Sequence, residues 1–241
     1  KDITMAFMKA DISKSAIKES TGGGGAYINK SGVYDVTIKI ASVEETKKGA
    51  TSVNFNVVNE VGNGTTFYNN IVLTKDGKDV DKNGKPLSGV TLLKKLMVIA
   101  NIDELNDPEE QVHRLGKDSV ERTLNVLDDL TDLEVKMQVQ QEFSKYEGKI
   151  QEKLVIRSVF RASDGASAEE IVAEAQGEEV EFGRQLSIIQ EKYADKIRYD
   201  DVTPEEAEAY LESKRSDAES TKPATTAATK ASVKKTGSLF K

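Results

Sequence analysis

Cysteine is absent from this chain of 241 residues, and so is tryptophan. Without a thiol there is no structural disulfide, no thiolate metal site and no cysteine nucleophile. The single histidine, His113, has neither a cysteine nor a second imidazole to share a zinc ion, so no zinc site is expected. No serine sits in a nucleophile-elbow motif. No apolar run approaches the roughly 18 residues that a membrane helix needs. Residues Lys1–Met8 lack the charge, long apolar run and small-residue cleavage site of a signal peptide. These absences together lead to the expectation of a soluble intracellular protein. Hydrophobic residues make up 37% and aromatics 6%, enough for one core that is thin for the length.

Charge of either sign is plentiful but unevenly placed. Residues 1–163 hold 23 Lys+Arg against 24 Asp+Glu. Residues 164–219 hold 6 against 17, and residues 220–241 hold 5 lysines and no acid. Three charge characters suggest three functional compartments. With the glycine run Gly22–Gly25 they set the expected organisation: an N-terminal extension with a Gly linker over 1–25, a domain over 26–163, an acidic helical segment over 164–215 and a flexible tail over 216–241. The glycine run lacks the Gly-Lys-Ser/Thr ending and preceding strand of a phosphate loop, which leaves the linker reading.

Within 26–163, apolar and polar residues alternate in five runs. Tyr34, Val36, Ile38 and Ile40 share one face of the first, opposite Asp35, Thr37 and Lys39. The second, Ser52–Val61, buries Val53, Phe55 and Val57 and exposes Asn54 and Asn56. The third, Thr65–Leu73, has two competing faces. A polar excursion with the turn pairs Asp76-Gly77 and Asn83-Gly84 follows. Leu92, Leu93, Leu96 and Ile99 then recur at helical spacing in a helix over Gly89–Ile102, with Ser88 as its expected N-cap. An acid-rich, less regular insertion spans Asp103–Asp132. The fourth run, Leu133–Phe143, sets Leu133, Val135, Met137 and Val139 against Glu134, Lys136, Gln138 and Gln140. The fifth, Ile150–Phe160, offers Leu154, Ile156 and Phe160 to one face, with Lys153, Arg157 and Arg161 on the other. Strand-strand-strand-helix-strand-strand is the element order of the OB-fold. The expected fold is therefore mainly β: a five-stranded OB-fold barrel with one capping helix, followed by the acidic helical segment and a disordered basic tail.

An OB barrel holds a single strand on one open face, between the loop joining strands one and two and the loop joining strands four and five. The first loop carries Lys47 and Lys48, the second Lys145, Tyr146 and Lys149. Ammonium groups neutralise phosphates, and an aromatic ring stacks on a base. Lys39, Lys136, Lys153 and Arg157 lie on polar strand faces. Tyr68 and Tyr34 are candidate stacking platforms, although Tyr34 shares the register of core residues. Asn54, Asn56 and Asn70 suit sugars or base edges. The acidic cluster Asp128, Asp129, Asp132 and Glu134 matches no EF-hand spacing and reads as a polar turn. No metal and no cofactor is expected, and the chain reads as a binding module, not an enzyme. In the tail, Lys234, Lys235 and Lys241 surround Leu239 and Phe240. Two readings stand for that tip: docking onto a partner protein, or nonspecific contact with nucleic acid.

Gly32-Val33-Tyr34-Asp35-Val36-Thr37-Ile38, the Glu-Thr-Lys-Lys-Gly turn and the Lys-Lys-Thr-Gly-Ser-Leu-Phe-Lys ending resemble the single-stranded-DNA-binding proteins of tailed bacteriophages. Those of short-tailed coliphages that carry a virion RNA polymerase are the nearest in kind. The resemblance covers residues 26–163 and the tail. It implies a protein that coats single-stranded DNA in phage replication and recombination, in the cytoplasm of the infected host cell. It also implies a tail that contacts host RNA polymerase or replication proteins, and, as an alternative, a transcription-activating adaptor for which DNA binding is secondary. In the wider family, most single-strand-binding proteins end in an acidic tail carrying a terminal phenylalanine. Here Phe240 is present, but the tip is basic and runs on to Lys241, which favours an acidic docking surface.

Overall fold

The computed structural model describes residues 27–46, 49–115 and 120–220. The N-terminal extension expected over 1–25, the loop lysines Lys47 and Lys48, and the tail residues Lys234, Lys235, Leu239, Phe240 and Lys241 lie outside the described residues. The described chain is mainly β. Its strands are β1 (Gly32–Glu45), β2 (Thr51–Asn59), β3 (Gly64–Val72), β4 (Glu109–Leu115), β5 (Val120–Val126), β6 (Leu133–Tyr146), β7 (Lys149–Arg161) and the short β8 (Arg198–Asp200). Helix α1 (Ser88–Ala100) stands between β3 and β4. Helices α2 (Ala168–Ala175), α3 (Arg184–Lys192) and α4 (Pro204–Ser220) belong to the acid-rich region.

The five alternating runs became β1, β2, β3, β6 and β7. They pair antiparallel along the path β3-β2-β1-β6-β7 and curl into a half-barrel. β3 and β7, the two ends of the path, approach each other without forming a ladder, and α1 packs against both. Leu92, Leu96 and Ile99 of α1 join Val36, Ile38, Val53, Phe55, Val57, Val135, Met137, Val139 and Ile156 in one core. Burying each such side chain contributes roughly 1.5–3 kcal/mol. The helix lies close against β3: a Cβ on Gly89 would stand 2.2 Å from the Val72 carbonyl oxygen, so only glycine fits there. The helix cap differs from expectation. Ser88 is the first helical residue, and Leu87 occupies the N-cap without a side-chain bond; the Leu87 amide donates to Asp79 O at 2.9 Å, which holds the chain extended there.

Two strand faces also differ, for one reason. β1 and β7 each carry a bulge. Ile38 pairs Val57 but Ile40 pairs Asn56, so Lys39 is an extra residue in β1. Gln138 pairs Ser158 but Val139 pairs Ile156, so Arg157 is an extra residue in β7. Each insertion shifts the period-two alternation by one position. Ile40 therefore leaves the face of Ile38, while Ala41 takes the core position. Val159 joins Ile156 in the core, and Phe160 turns to the opposite face, buried outside the main cluster.

The insertion between helix and fourth run holds a second antiparallel hairpin, β4–β5. It joins the sheet at one end only, where Ser42 and Val43 of β1 pair Val126 and Asn125 of β5. The polar excursion after β3 forms the expected turns: Asp76 and Gly77 both take positive φ between the bridged Lys75 and Lys78. At the far end of β6 the chain returns through a two-residue turn, Glu147-Gly148, with φ of 50° and 75°. Against this end pack β8, parallel to β6, and α4. Phe143 centres a small second core with Val202, Ala207, Ile150, Tyr210 and Leu211.

Candidate nucleic-acid interface

The seam between β3 and β7 is a hollow of about 640 Å³. Ile28, Asn29, Thr66, Phe67, Tyr68, Glu142, Glu152, Lys153, Leu154 and Val155 line it. A second hollow of about 500 Å³ lies between the outward face of β1–β3 and the inner face of the β4–β5 hairpin. Ile40, Asn54, Asn56 and Tyr68 form its floor, and Leu115, Arg122, Thr123, Leu124 and Asn125 its other wall. Thr66 and Tyr68 belong to both. Tyr68 is 55% exposed, and so presents its ring where the two hollows meet. Four side chains singled out from sequence therefore line these two hollows: Asn54, Asn56, Tyr68 and Lys153.

Their states differ. Asn54 is buried, and its Nδ2 donates to Glu44 Oε2 at 2.8 Å, which holds both groups in the wall of the hollow. Lys153 is exposed and makes no ion pair among the described residues. The two carboxylates near it are already engaged. Glu152 accepts from Gln141 Nε2 at 2.7 Å and from Lys214 Nζ at 2.9 Å, and Glu142 faces Arg157. Lys153, register partner of Glu142, thus lines the seam as a cation without an ion pair among the described residues.

The other expected contacts sit elsewhere. Lys39, on its bulge, pairs Asp132 at 2.5 Å. Lys136 pairs Asp35. Arg157 contacts Glu142 and donates from Nε to Gln140 Oε1 at 2.8 Å; burial, and secondarily the neighbouring Arg198 charge, push its pKa below the usual guanidinium value. Lys145 pairs Glu206 of α4 at 2.7 Å. Tyr146 and Lys149 flank the β6–β7 turn, exposed and outside both hollows. The backbone of Asn70 lies in β3, and its side chain is outside the described residues. Tyr34 packs against the core, its hydroxyl donating to Lys30 O at 2.9 Å.

The acidic cluster resolves into separate bonds. Asp129 accepts from Asn106 through both oxygens, Asp128 accepts from Gln111, and Asp132 holds Lys39. Among the described residues no group of three His, Asp or Glu could hold a metal ion. No described helix is long and apolar enough to cross a membrane.

Sequence reasoning missed the hairpin wall. The signal was present: Val120, Arg122, Leu124 and Val126 alternate with Glu121, Thr123 and Asn125. The surrounding acids hid it. The chain matches no protein-family model, and no curated protein matches it.

Proposed function

We propose that this chain is a non-enzymatic single-stranded-DNA-binding protein that holds its strand along the two hollows that share Tyr68. The observation that carries this reading is Tyr68 itself: a half-exposed ring on a β-strand, where two hollows meet, with the exposed Lys153 in one of them. An aromatic platform stacks any base at about 1–3 kcal/mol, and a nearby ammonium group neutralises the backbone phosphate. The ladder β3-β2-β1-β6-β7, with a helix packed where β3 meets β7, supports an OB-type barrel left open at that seam. The resemblance described above adds coating of DNA in phage replication and recombination, and recruitment of host RNA polymerase by the basic tail.

The test is a titration of single-stranded and duplex oligonucleotides across a salt series, with and without the last ten residues. The reading expects single-strand preference, tyrosine quenching and log K falling with log salt, by about 0.7 for each phosphate neutralised. Equal or absent binding to the two forms overturns it, and so does magnesium-dependent cleavage as the principal activity. Loss of polymerase recruitment with DNA binding intact in the truncated protein supports the role assigned to the tail.

A further inference from the structure

Resting on that reading, we infer that the β4–β5 hairpin is the second jaw of the groove, and that Arg122 on its inner face grips the DNA backbone while Tyr68 stacks a base from the opposite side. The hairpin reaches away from the sheet after only two register pairs with β1, Ser42 with Val126 and Val43 with Asn125. Its ladder continues through Leu115 and Val120 with no other strand of the described residues beside it. An arm of this length builds no core of its own: Val112 and Val120 stand more than half exposed. What its inner face does is close the hollow, with Leu115, Arg122 and Leu124 opposite Ile40, Asn56 and Tyr68.

The two arginines of the hairpin give the arm a direction. Register places Arg114 opposite Glu121 and Arg122 opposite His113. On the outer face Arg114 is neutralised, its Nη2 lying 2.8 Å from Glu121 Oε1. On the inner face Arg122 has no carboxylate across from it and makes no ion pair among the described residues. Among the described residues, the charged groups lining that hollow are Arg122, Glu44 and Glu45. Glu44 accepts from Asn54, neither Glu44 nor Glu45 forms an ion pair with Arg122, and His113 shares a hydrogen bond of 3.0 Å with Gln111. A guanidinium that lines a groove and makes no ion pair there is suited to a phosphate, to which it donates two parallel hydrogen bonds. Asn56 of β2 adds a donor and an acceptor for sugars and base edges. A duplex offers no free base face to Tyr68 between these walls, so this occupant is a single strand.

Four full-length variants test the jaw against an unstructured oligo-dT: Arg122→Ala, Arg114→Ala, Tyr68→Ala and Lys153→Ala, each checked by circular dichroism. Arg122→Ala is expected to weaken binding about tenfold at low salt and to reduce the salt slope by about 0.7, the share of one phosphate contact. Arg114→Ala is expected to bind as the parent does. If Arg122→Ala binds like the parent while Tyr68→Ala and Lys153→Ala are weakened, the jaw is overturned and the proposed function stands. If Arg114→Ala loses as much as Arg122→Ala, the assignment of inner and outer faces is overturned. If the parent itself shows no preference for single strands, both the function and the jaw fall.

Discussion

Glu206 Oε1 lies 2.7 Å from Lys145 Nζ, and the other oxygen of the same carboxylate accepts from the Thr203 amide at 2.9 Å. The Glu206 amide in turn donates to Thr203 Oγ1 at 3.3 Å, which completes a reciprocal cap at the start of α4. One side chain thus both starts the helix and ties it to the end of the β6–β7 hairpin. Glu206→Ala is expected to speed amide exchange in the first turn of α4. Lys145→Ala, which spares the cap, is expected to change it less. Equal effects of the two substitutions would show that the ion pair, not the cap, holds the helix start.

Phe143 joins the acid-rich region to the sheet. Its ring stacks on Tyr199 at 6.0 Å between centroids and meets Tyr210 edge-on at 6.3 Å. Phe143→Ala empties the centre of the second core, at an expected cost of about 3–5 kcal/mol. Limited proteolysis would then cut first within residues 198–220, while the main core stays protected. Uniform susceptibility along the chain would instead mean that the two cores melt as one.

Arg161 and Asp164 close the turn after β7, with Arg161 Nη2 2.6 Å from Asp164 Oδ2 and the guanidinium over the Phe182 ring. The Arg161 hydrogen bond holds the Asp164 pKa below the usual aspartate value. A carboxylate with a depressed folded pKa stabilises fully above its unfolded value and loses that contribution as pH falls through its folded value. Asp164→Asn is therefore expected to be less stable than the parent at neutral pH, with the gap narrowing in acid below about pH 4. Thermal melts at pH 7 and pH 3 measure it; a constant gap would place the effect in the Asp164–Ala166 backbone bond and not in the charge.

Tyr68→Ala removes the ring shared by the two hollows without touching the core, because the side chain is half exposed. Single-strand affinity is expected to fall by about 1–3 kcal/mol, with the salt slope unchanged, since stacking releases no counterions. Tyr68→Phe is expected to restore most of the affinity. Failure of phenylalanine to rescue would assign the effect to the hydroxyl.

The order of the main strands was legible from their alternation, which is clean in β1, β2 and β6 and ambiguous in the third run. Lys39 and Arg157 mark where that legibility stops. A bulge adds one residue whose identity carries no hydrophobic signal, and everything beyond it changes face, as Ile40 and Phe160 did. The β4–β5 hairpin was hidden for a different reason: its alternation is short and lies among the acids of residues 103–132. Among the site residues, Lys153 was readable as a polar-face position on its strand, whereas Tyr68 stood on a run with two competing faces. The neutralisation of Lys39 and Lys145 was not readable, because their partners Asp132 and Glu206 lie 93 and 61 residues further along. Local pattern cannot report a counterion that only folding brings near.

Strand β1 is bonded along one edge to β2 and along the other first to β6 and then to β5. Its first half therefore waits for residues 133–139, about a hundred positions later. A ribosome delivers them at roughly 5–20 residues per second, so β1–β3 spend several seconds as an unfinished meander with a bare edge. Long-range pairing of this kind folds slowly. The interval is a window in which a nascent chain can pair with another copy, and faster translation, by shortening the wait, would favour solubility.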